Sequence, residues 1–303
     1  MTATVAMGPL ERVVVAHGSV RAIGLMRAAF GLIVIRHLWP DLTANMLPVE
    51  RFHVPWWSWL PVPAPGVYRA LVILGSLAGA AMVVGLRSRV ATATAFAIVT
   101  YLLFVDMTGF AHNRAFLVWM LAGLTFLPTD RAFSLDARLG RARPATGALW
   151  PVFVLRVVVS TVYLTSSLTK LANPDWRDGL VLWDRVNRYA HKIPFDGWAF
   201  DVVTSRGFHR VLAPSAIAVE IFIALALWHR RTRLAAIVVA VLFHASIEVT
   251  ASVQTFSYSA IAALLIWLVP LDLGGAQKTA LSAGPSSRTN AFTGPHTDDG
   301  AAT

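Results

Sequence analysis

The sequence predicts an all-α integral membrane protein, folded as a bundle of about eight transmembrane helices. Hydrophobic residues make up 56% of the 303 residues, and charged residues make up only 14%. Soluble domains usually carry about 25% charged residues. The apolar residues also collect in runs close to the roughly 20 residues that a helix needs to cross the hydrocarbon core. Composition and run length together exclude an ordinary soluble domain.

Eight apolar runs are predicted to span the membrane. They cover residues 20–39, 67–86, 90–110, 115–127, 149–171, 211–228, 234–250 and 256–271. Two long polar and aromatic loops separate them, at 40–66 and 172–210. We divide the chain into a short N-terminal segment at 1–19, one transmembrane domain at 20–272 and a tail at 273–303. The tail is rich in Gly, Ala, Ser, Thr and Pro, and we expect it to be disordered.

Arginines in the short hairpins predict the orientation. Arg87 and Arg89 join the second and third spans, and Arg230, Arg231 and Arg233 join the sixth and seventh. With eight spans, these loops share one side with both termini, and the positive-inside rule makes that side cytoplasmic in a cell (plasma) membrane. No basic stretch has the interleaved aromatics of a nucleic-acid surface. The net charge of +10 therefore favours membrane lipid, and not nucleic acid, as a partner.

Ionisable residues inside a membrane are costly, so each is a candidate for function. Arg156, Tyr163 and Lys170 recur at seven-residue steps in the fifth span and therefore share one helix face, which we expect to point into the bundle. Lys170 lies at the outer end of that span. Two interpretations stay open: a partly buried lysine that acts as a neutral base, because desolvation favours its uncharged form, or a lysine that reaches out to the interface.

Glu220 and His244 lie in the middle of the sixth and seventh spans. A carboxylate at that depth needs a partner, and we expect His244 to supply it. The alternative is that such a pair only fixes helix packing. His112, in the turn between the third and fourth spans, would by itself be an ordinary loop histidine. Local metal-ligand spacing and cysteine are both lacking in the sequence, so no metal site and no thiol nucleophile are expected.

Other polar and small residues have packing explanations. Arg27 and Arg36 in the first span are expected to face inward. The GSLAGA stretch in the second span predicts a close helix–helix surface. Ser166 and Ser167 are expected to hydrogen-bond back to their own helix.

The stretch TSSLTKLANPDWRDGLVLW resembles the hallmark segment of the vitamin K-dependent gamma-carboxylase family and its bacterial relatives, which share the horizontally transferred transmembrane (HTTM) domain. In that family a span ends in a Lys-Leu pair, followed by a short polar step, a tryptophan and a glycine. Here these residues are Lys170, Leu171, Asp175, Trp176 and Gly179.

Three further places agree with the family in order and spacing. His112 and Asn113 precede a span that ends in LTFLPTDRAFSLD. Glu220 opens an apolar run that ends in HRRTR, and His244 follows an aromatic residue in FHASIEV. The resemblance covers about residues 20 to 272, which is nearly the whole membrane portion.

The resemblance implies a mechanism and a site. It implies that Lys170 is the base that deprotonates a reduced naphthoquinone, vitamin K or menaquinone. The quinolate then reacts with dioxygen to give an epoxide and a strong alkoxide base, which removes a carbon-bound proton from a substrate, and carbon dioxide traps the carbanion. His112 is implied as the orienting or oxyanion-stabilising group. The supporting residues are His244, Glu220, Asn113, Asp175, Trp176 and Arg156.

The resemblance also implies a dry quinone cavity that faces the extracytoplasmic side. We expect the aromatic spans and the PWWSWLP loop to line it. Animal carboxylases carry a large soluble domain after the bundle, whereas only a short tail follows here. Two reactions are therefore expected as alternatives: that of a carbon–carbon lyase acting on a peptide or small protein, or quinol oxidation alone. The alternative is a non-catalytic membrane partner or transporter, for example in peptide-toxin maturation or immunity.

Overall fold

The computed structural model describes residues 17–43, 54–107, 110–142, 146–148, 150–250 and 255–270. The predicted tail, and all of the predicted N-terminal segment except residues 17–19, lie outside these described residues. The elements in chain order are β1 (His17–Ser19), α1 (Arg21–Thr43), α2 (Pro65–Val84), α3 (Ser88–Val105), α4 (His112–Phe126), α5 (Leu135–Arg138), β2 (Thr146–Ala148), α6 (Trp150–Ala172), α7 (Pro174–Arg177), α8 (Leu180–Arg188), a 3₁₀ turn (Ala190–Lys192), α9 (Gly197–Thr204), α10 (Arg206–Ala226), α11 (Arg233–Thr250), α12 (Thr255–Ala263) and a 3₁₀ stretch (Leu264–Leu268).

The predicted helical membrane bundle is confirmed. Six helices, namely α1, α2, α3, α6, α10 and α11, are long and apolar enough to cross a membrane. The 15-residue helix α4 and the shorter apolar helix Thr255–Leu268 fall on the other two predicted spans. Together they account for a bundle of about eight helices. The two three-residue strands β1 and β2 pair antiparallel and are a minor addition.

Close contact between α1 and α2 depends on glycine. A Cβ atom at Gly31 would lie 2.6 Å from the carbonyl oxygen of Gly79, and one at Gly79 would lie 2.9 Å from the carbonyl oxygen of Gly31. Only hydrogen side chains allow two helix backbones to approach this closely. Gly79 belongs to the GSLAGA stretch, so the packing role predicted for that stretch is confirmed.

Helix α12 lies at the centre of the bundle. The helices α1 to α4 pack in sequence, α6 packs on α10, and α12 contacts α1, α4 and α11. The 3₁₀ stretch that follows α12 carries Trp267, whose side chain is 1% exposed. Arg156 on α6 donates to the carbonyl oxygens of Ile266 at 3.1 Å and Val269 at 2.6 Å, and its guanidinium lies 5.0 Å from the centroid of the Trp267 ring. This contact ties α6 to the end of the chain's last described helix.

The two ends of the bundle differ in their arginines. Arg27, fully buried near the start of α1, donates to the carbonyl oxygens of Thr129 at 3.0 Å and Phe133 at 2.7 Å. Its predicted inward position is therefore confirmed, with backbone carbonyls as partners. Arg36, nearer the end of α1, is exposed and lies 4.4 Å from the centroid of the Tyr258 ring. The prediction that Arg36 faces inward was wrong, because a cation–π contact at the bundle surface satisfies it.

The region predicted as the second loop folds into the short helices α7, α8 and α9. Asn173 begins this region as the N-cap of α7, accepting hydrogen bonds from the backbone N–H groups of Asp175 at 2.9 Å and Trp176 at 3.4 Å. Gly179 then adopts φ +72°, at a position where a Cβ would collide with the carbonyl group of His209. Helices of four to nine residues are too short to show a periodic apolar pattern. The sequence therefore predicted a loop here.

Candidate functional site

A lysine–glutamate pair lies at the C-terminal end of α6. The Lys170 Nζ donates to Glu220 Oε1 on α10 at 2.5 Å, with 17% of the lysine side chain and 6% of the glutamate side chain exposed. Ser166, one helical turn before Lys170, donates to the same oxygen at 3.1 Å. The other oxygen, Glu220 Oε2, is buried and has no hydrogen-bond partner within the described part of the chain. One carboxylate oxygen thus collects two donors from α6, and the other is left available.

The expected pairing of Glu220 with His244 was wrong. His244 on α11 is fully buried, and its Nε2 lies 2.8 Å from the Tyr163 hydroxyl on α6. Its Nδ1 has no partner among the residues that the structure describes. Glu220 and His244 both face α6, so each finds its partner there and not on the other's helix. A lysine also compensates a buried carboxylate better than a neutral imidazole does.

The segment after α6 places an aromatic ring over the lysine. The Lys170 Nζ lies 4.9 Å from the centroid of the Trp176 ring. The Asn173 cap holds this turn, because its side chain accepts from the backbone N–H of Trp176. Asp175 is exposed, and its described hydrogen bond is the one that its backbone N–H donates to Asn173. The predicted Asp175–Trp176 segment thus reaches the site through the tryptophan.

A cleft of about 440 Å³ opens beside the pair. Polar groups enter it from the start of α4 and from the last turns of α6, and aromatic rings complete the wall. The lining residues are His112, Asn113, Ala115, Phe116, Trp119, Val162, Thr165, Ser166, Thr169 and Phe256. The cleft therefore joins His112 and Asn113, far from Lys170 in sequence, to the helix that carries the lysine.

Ser166 connects the cleft to the ion pair. Its side chain lines the cleft and also donates to the Glu220 oxygen that accepts from Lys170. Lys170 itself does not line the cleft. It is connected to the cleft through Glu220 Oε1, which accepts from both Lys170 and Ser166. Ser166 was predicted to bond to its own helix, and that prediction was wrong. Ser167 does so, donating to the carbonyl oxygen of Leu164 at 2.8 Å.

Aromatic rings connect the cleft to the buried histidine. Phe256 lines the cleft and stacks edge-on against Phe116, with ring centroids 5.7 Å apart. The opposite neighbour of Phe256 is His244, at 5.5 Å between ring centroids. Phe116, Trp119 and Phe256 were not predicted as site residues. They lie on α4 and α12, which are distant from α6 in sequence but line the same cleft. No local sequence motif identifies them.

Two predicted parts of the site lie elsewhere. Arg156 is about four turns from Lys170 along α6, where it binds carbonyl groups at the end of the described chain. The PWWSWLP loop is not part of the cleft lining. Its Trp57 stacks on Phe104 with ring centroids 4.5 Å apart, and Phe104 in turn contacts Phe110 at 6.0 Å. Phe110 contacts His112 at 5.8 Å, so the loop supports the rim of the cleft from outside.

The arrangement combines an apolar slot, a polar rim and a buried acid–base pair. Its volume lies within the roughly 300–1,000 Å³ typical of small-molecule sites. A slot walled by flat rings suits a planar aromatic ligand, and hydroxyl groups on such a ligand would find hydrogen-bonding partners at both rims. Glu220 Oε2 is buried and has no hydrogen-bond partner within the described ranges, so it is an acceptor open to a proton from a ligand.

Comparison with known proteins identifies the family of the membrane bundle. The HTTM domain model matches residues 18–270, which is more than half of the chain. No curated protein and no solved structure matches the chain. Since the matched residues include every predicted site residue and all eight apolar helices, the chain belongs to the HTTM domain family, the membrane domain of the vitamin K-dependent gamma-carboxylases.

Proposed function

We propose that this protein is a membrane enzyme that oxidises a reduced naphthoquinone, with the Lys170–Glu220 pair as its base. The observation that carries the proposal is Ser166, which lines the cleft and shares the Glu220 oxygen with Lys170. Through it, a ligand in the cleft is within one hydrogen-bonded step of a buried proton acceptor. Membership of the HTTM family supports the same chemistry.

The cleft fits a reduced vitamin K or menaquinone. Phe116, Trp119 and Phe256 provide flat apolar walls for a bicyclic ring, and the side chains of Val162 and Thr165 complete the α6 side. Bound there, the quinol supplies an acidic hydroxyl group and, together with dioxygen, the oxidising chemistry of the family. The residues of this chain bind and orient that ring and keep water from it.

Proton accounting makes the pair, and not the lysine alone, the base. Lys170 and Glu220 in contact hold one mobile proton between them, either as an ammonium and a carboxylate or as an amine and a carboxylic acid. When the pair accepts a second proton, Lys170 carries a positive charge and Glu220 is neutral. Glu220 Oε2 is the atom with room for that proton. With the first proton on either partner, the pair as a whole can accept one more.

His112 and Asn113 are proposed to steady negative charge on the ligand. Both line the cleft at the N-terminal end of α4, where the helix dipole also favours an anion. His244 and Tyr163 are proposed as support, because they hold Phe256 from behind. We further propose a plasma-membrane location with the cleft on the extracytoplasmic side, and a peptide or small-protein substrate modified with carbon dioxide.

The direct test is quinol-dependent epoxide formation in purified membranes. We expect Lys170→Ala to lower the rate by about 10²–10⁴-fold, the usual contribution of a positioned base. Arg188→Ala serves as the control, since Arg188 is an exposed cation paired with Asp184 within its own helix. Equal rates in wild type and Lys170→Ala, at equal protein levels, would remove Lys170 as the base.

A non-catalytic membrane partner or transporter is the second candidate, and the buried pair is the observation that favours it. An ion pair between α6 and α10 also holds two helices together, and removal of one partner leaves a buried charge. This candidate predicts that Lys170→Ala mainly lowers thermal stability. If the protein is an enzyme, Lys170→Ala is expected to lose epoxide formation even where its unfolding temperature is unchanged.

A further inference from the structure

The cleft of the candidate site opens on the outward surface of α4 and α6. Trp119 on α4 is 63% exposed, and Thr165 and Thr169 on α6 are exposed as well, although all three line the cleft. Phe116, another lining residue, is 4% exposed and packs edge-on against Phe256. The cleft is therefore closed toward the interior of the bundle and open toward the surface of the two helices.

That surface is one that lipid covers. Helix α6 is long and apolar enough to cross a membrane, and Leu164 and Leu168 are 38% and 51% exposed on the same face as the cleft threonines. Trp119 lies seven residues after His112, the first residue of α4, which is about 10 Å along the helix axis. An opening at this depth leads into hydrocarbon and not into water.

The gap between α4 and α6 is closed at its inner end. Gly123 on α4 faces Leu155 on α6 so closely that a Cβ atom at Gly123 would collide with the leucine side chain. The cleft is lined by earlier residues of α4, within 112–119, and by later residues of α6, within 162–169. The two helices therefore touch at the glycine and leave a lateral opening over the outer half of the bundle.

The opening is polar at its outer end and compatible with hydrocarbon further in. His112 and Asn113 lie at the outer end, in the first turn of α4. Thr165 donates to the carbonyl oxygen of Thr161 at 2.7 Å, and Thr169 donates to that of Thr165 at 2.9 Å. A threonine that donates to its own helix presents no unpaired hydrogen to lipid. An amphiphile is thus matched along its length.

We propose that the ligand of the cleft enters sideways from the bilayer, between α4 and α6, and that its hydrocarbon side chain leaves past Trp119 and Thr165. The inference rests on the proposed function, because it takes the ring of a reduced naphthoquinone as the group inside the cleft. It adds the source of the substrate, which is the membrane, and its class, which is a quinol with a long side chain. Trp119 and Thr165 are then the residues that determine specificity for that chain.

Side-chain length distinguishes an open cleft from an enclosed cavity. A volume of about 440 Å³ has room for a bicyclic ring, but a long chain must leave it. A chain that lies in lipid both before and after binding gains no hydrophobic free energy from the protein. We therefore expect menaquinones of increasing chain length to bind with affinities within about 3-fold of one another, when each concentration is expressed as a fraction of the lipid.

Photo-crosslinking of the wild-type chain in lipid nanodiscs locates the opening directly. The probe is an oxidised menaquinone with a diazirine in the part of its side chain next to the ring, and peptide mass spectrometry reads the labelled residues. Label is expected at Trp119 and Thr165 and should be lost in an excess of unlabelled menaquinone. Phe126 is the internal control, since it is 68% exposed on the same helix but is not among the described residues that line the cleft.

A bulky side chain in the opening provides the second measurement. Thr165→Trp is expected to weaken menaquinone binding about 10-fold, the usual size of an overpacking effect, and to weaken binding of menadione, which has no side chain, by less. Thr161→Trp is the matched control, because Thr161 is exposed one turn earlier on α6 and is not a described lining residue. It should stay within about 3-fold of wild type.

Both measurements record binding of an oxidised quinone, so they are separate from the test of activity. Label at the opening without any epoxide formation would leave this inference standing and remove the proposed function. Epoxide formation with equal labelling of Trp119 and Phe126, or with label that unlabelled menaquinone does not displace, would overturn the inference alone. Wild-type affinity that falls steeply with chain length, or equal losses in the two tryptophan variants, would also overturn it.

Discussion

At the scale of single residues, Glu220 changes how Lys170 acts. A desolvated lysine alone would become a base by losing its proton to water. Lys170 instead donates to the Glu220 carboxylate at 2.5 Å, so the two groups share a proton in one hydrogen bond. Whether the site is basic then depends on Glu220 as much as on Lys170.

Glu220→Gln tests this residue-scale claim. The amide can still accept hydrogen bonds from Lys170 and Ser166, but it has no carboxylate oxygen to take up a proton. We expect quinol-dependent epoxide formation to fall by about 10²-fold or more. The comparison is Ser166→Ala, which removes a donor but leaves the acid, and it should fall by less. If Glu220→Gln is as active as wild type, the pair is not the base.

Tyr163→Phe tests the support around the buried histidine. The substitution removes the 2.8 Å hydrogen bond to His244 and leaves both of its buried ring nitrogens without a partner among the residues that the structure describes. We expect a loss of about 1–3 kcal/mol in the free energy of unfolding, the usual penalty for such a group. Thermal unfolding in detergent measures it. An unchanged unfolding temperature would mean that water replaces the tyrosine hydroxyl.

At the scale of elements, Arg156 fastens the end of the described chain to α6. Arg156→Met keeps the length and apolar character of the side chain but leaves the carbonyl groups of Ile266 and Val269 without their donor. We expect a loss of about 2 kcal/mol or more in stability, with the ligand-binding cleft intact. The unfolding temperature and the rate of epoxide formation, measured on the same variant, separate an effect on stability from an effect on activity. A fall in activity without a fall in stability would give Arg156 the role that the family resemblance implied.

The short helix α5 carries an acid-sensitive contact at Asp136. Asp136 accepts from the backbone N–H groups of Arg87 and Ser88, each at 2.9 Å, at the start of α3. Desolvation acts to raise the pKa of Asp136, but these hydrogen bonds outweigh it and hold the pKa below its ordinary value. Because the folded pKa is the lower one, the carboxylate stabilises the fold above the ordinary value of about 4.

The expected result is a loss of stability as the pH falls from about 4 through the lowered pKa of Asp136. Asp136→Asn should be less stable at neutral pH and should lack this part of the acid dependence. Unfolding temperatures measured between about pH 3 and pH 7 give the comparison. If both proteins lose stability in parallel, other carboxylates are responsible.

At the scale of the whole molecule, hydropathy predicts the bundle but not its centre. The predicted spans coincide with eight helices because a run of about 20 apolar residues has few alternatives to a membrane helix. The position of α12 among α1, α4 and α11 depends on contacts between distant segments. Helix α12 is short and nearly uniform in polarity, so its sequence does not show which face packs. Phe256, which it brings to the cleft, was missed for that reason.

The same distinction between local pattern and long-range contact applies to the candidate site. Lys170, Glu220 and His244 could be predicted as candidates, because an ionisable group in an apolar run is visible in sequence. His112 lies in a turn and became a candidate only through the family resemblance. Their pairing could not be, since it depends on how α6, α10 and α11 are rotated. Ser166 lies four residues before Lys170 and so on the same helix face. That spacing was the available signal for its role.

The central claim is that Lys170 and Glu220 together form the base of a quinol-oxidising enzyme. The most direct measurement is epoxide formation from reduced vitamin K by the purified protein, compared with the neutral variant Lys170→Gln/Glu220→Gln. This variant replaces both charges with amides of similar shape, so neither partner is left as a lone buried ion. We predict an unfolding temperature close to that of wild type and no detectable epoxide. A folded double variant that forms epoxide at the wild-type rate would contradict the claim.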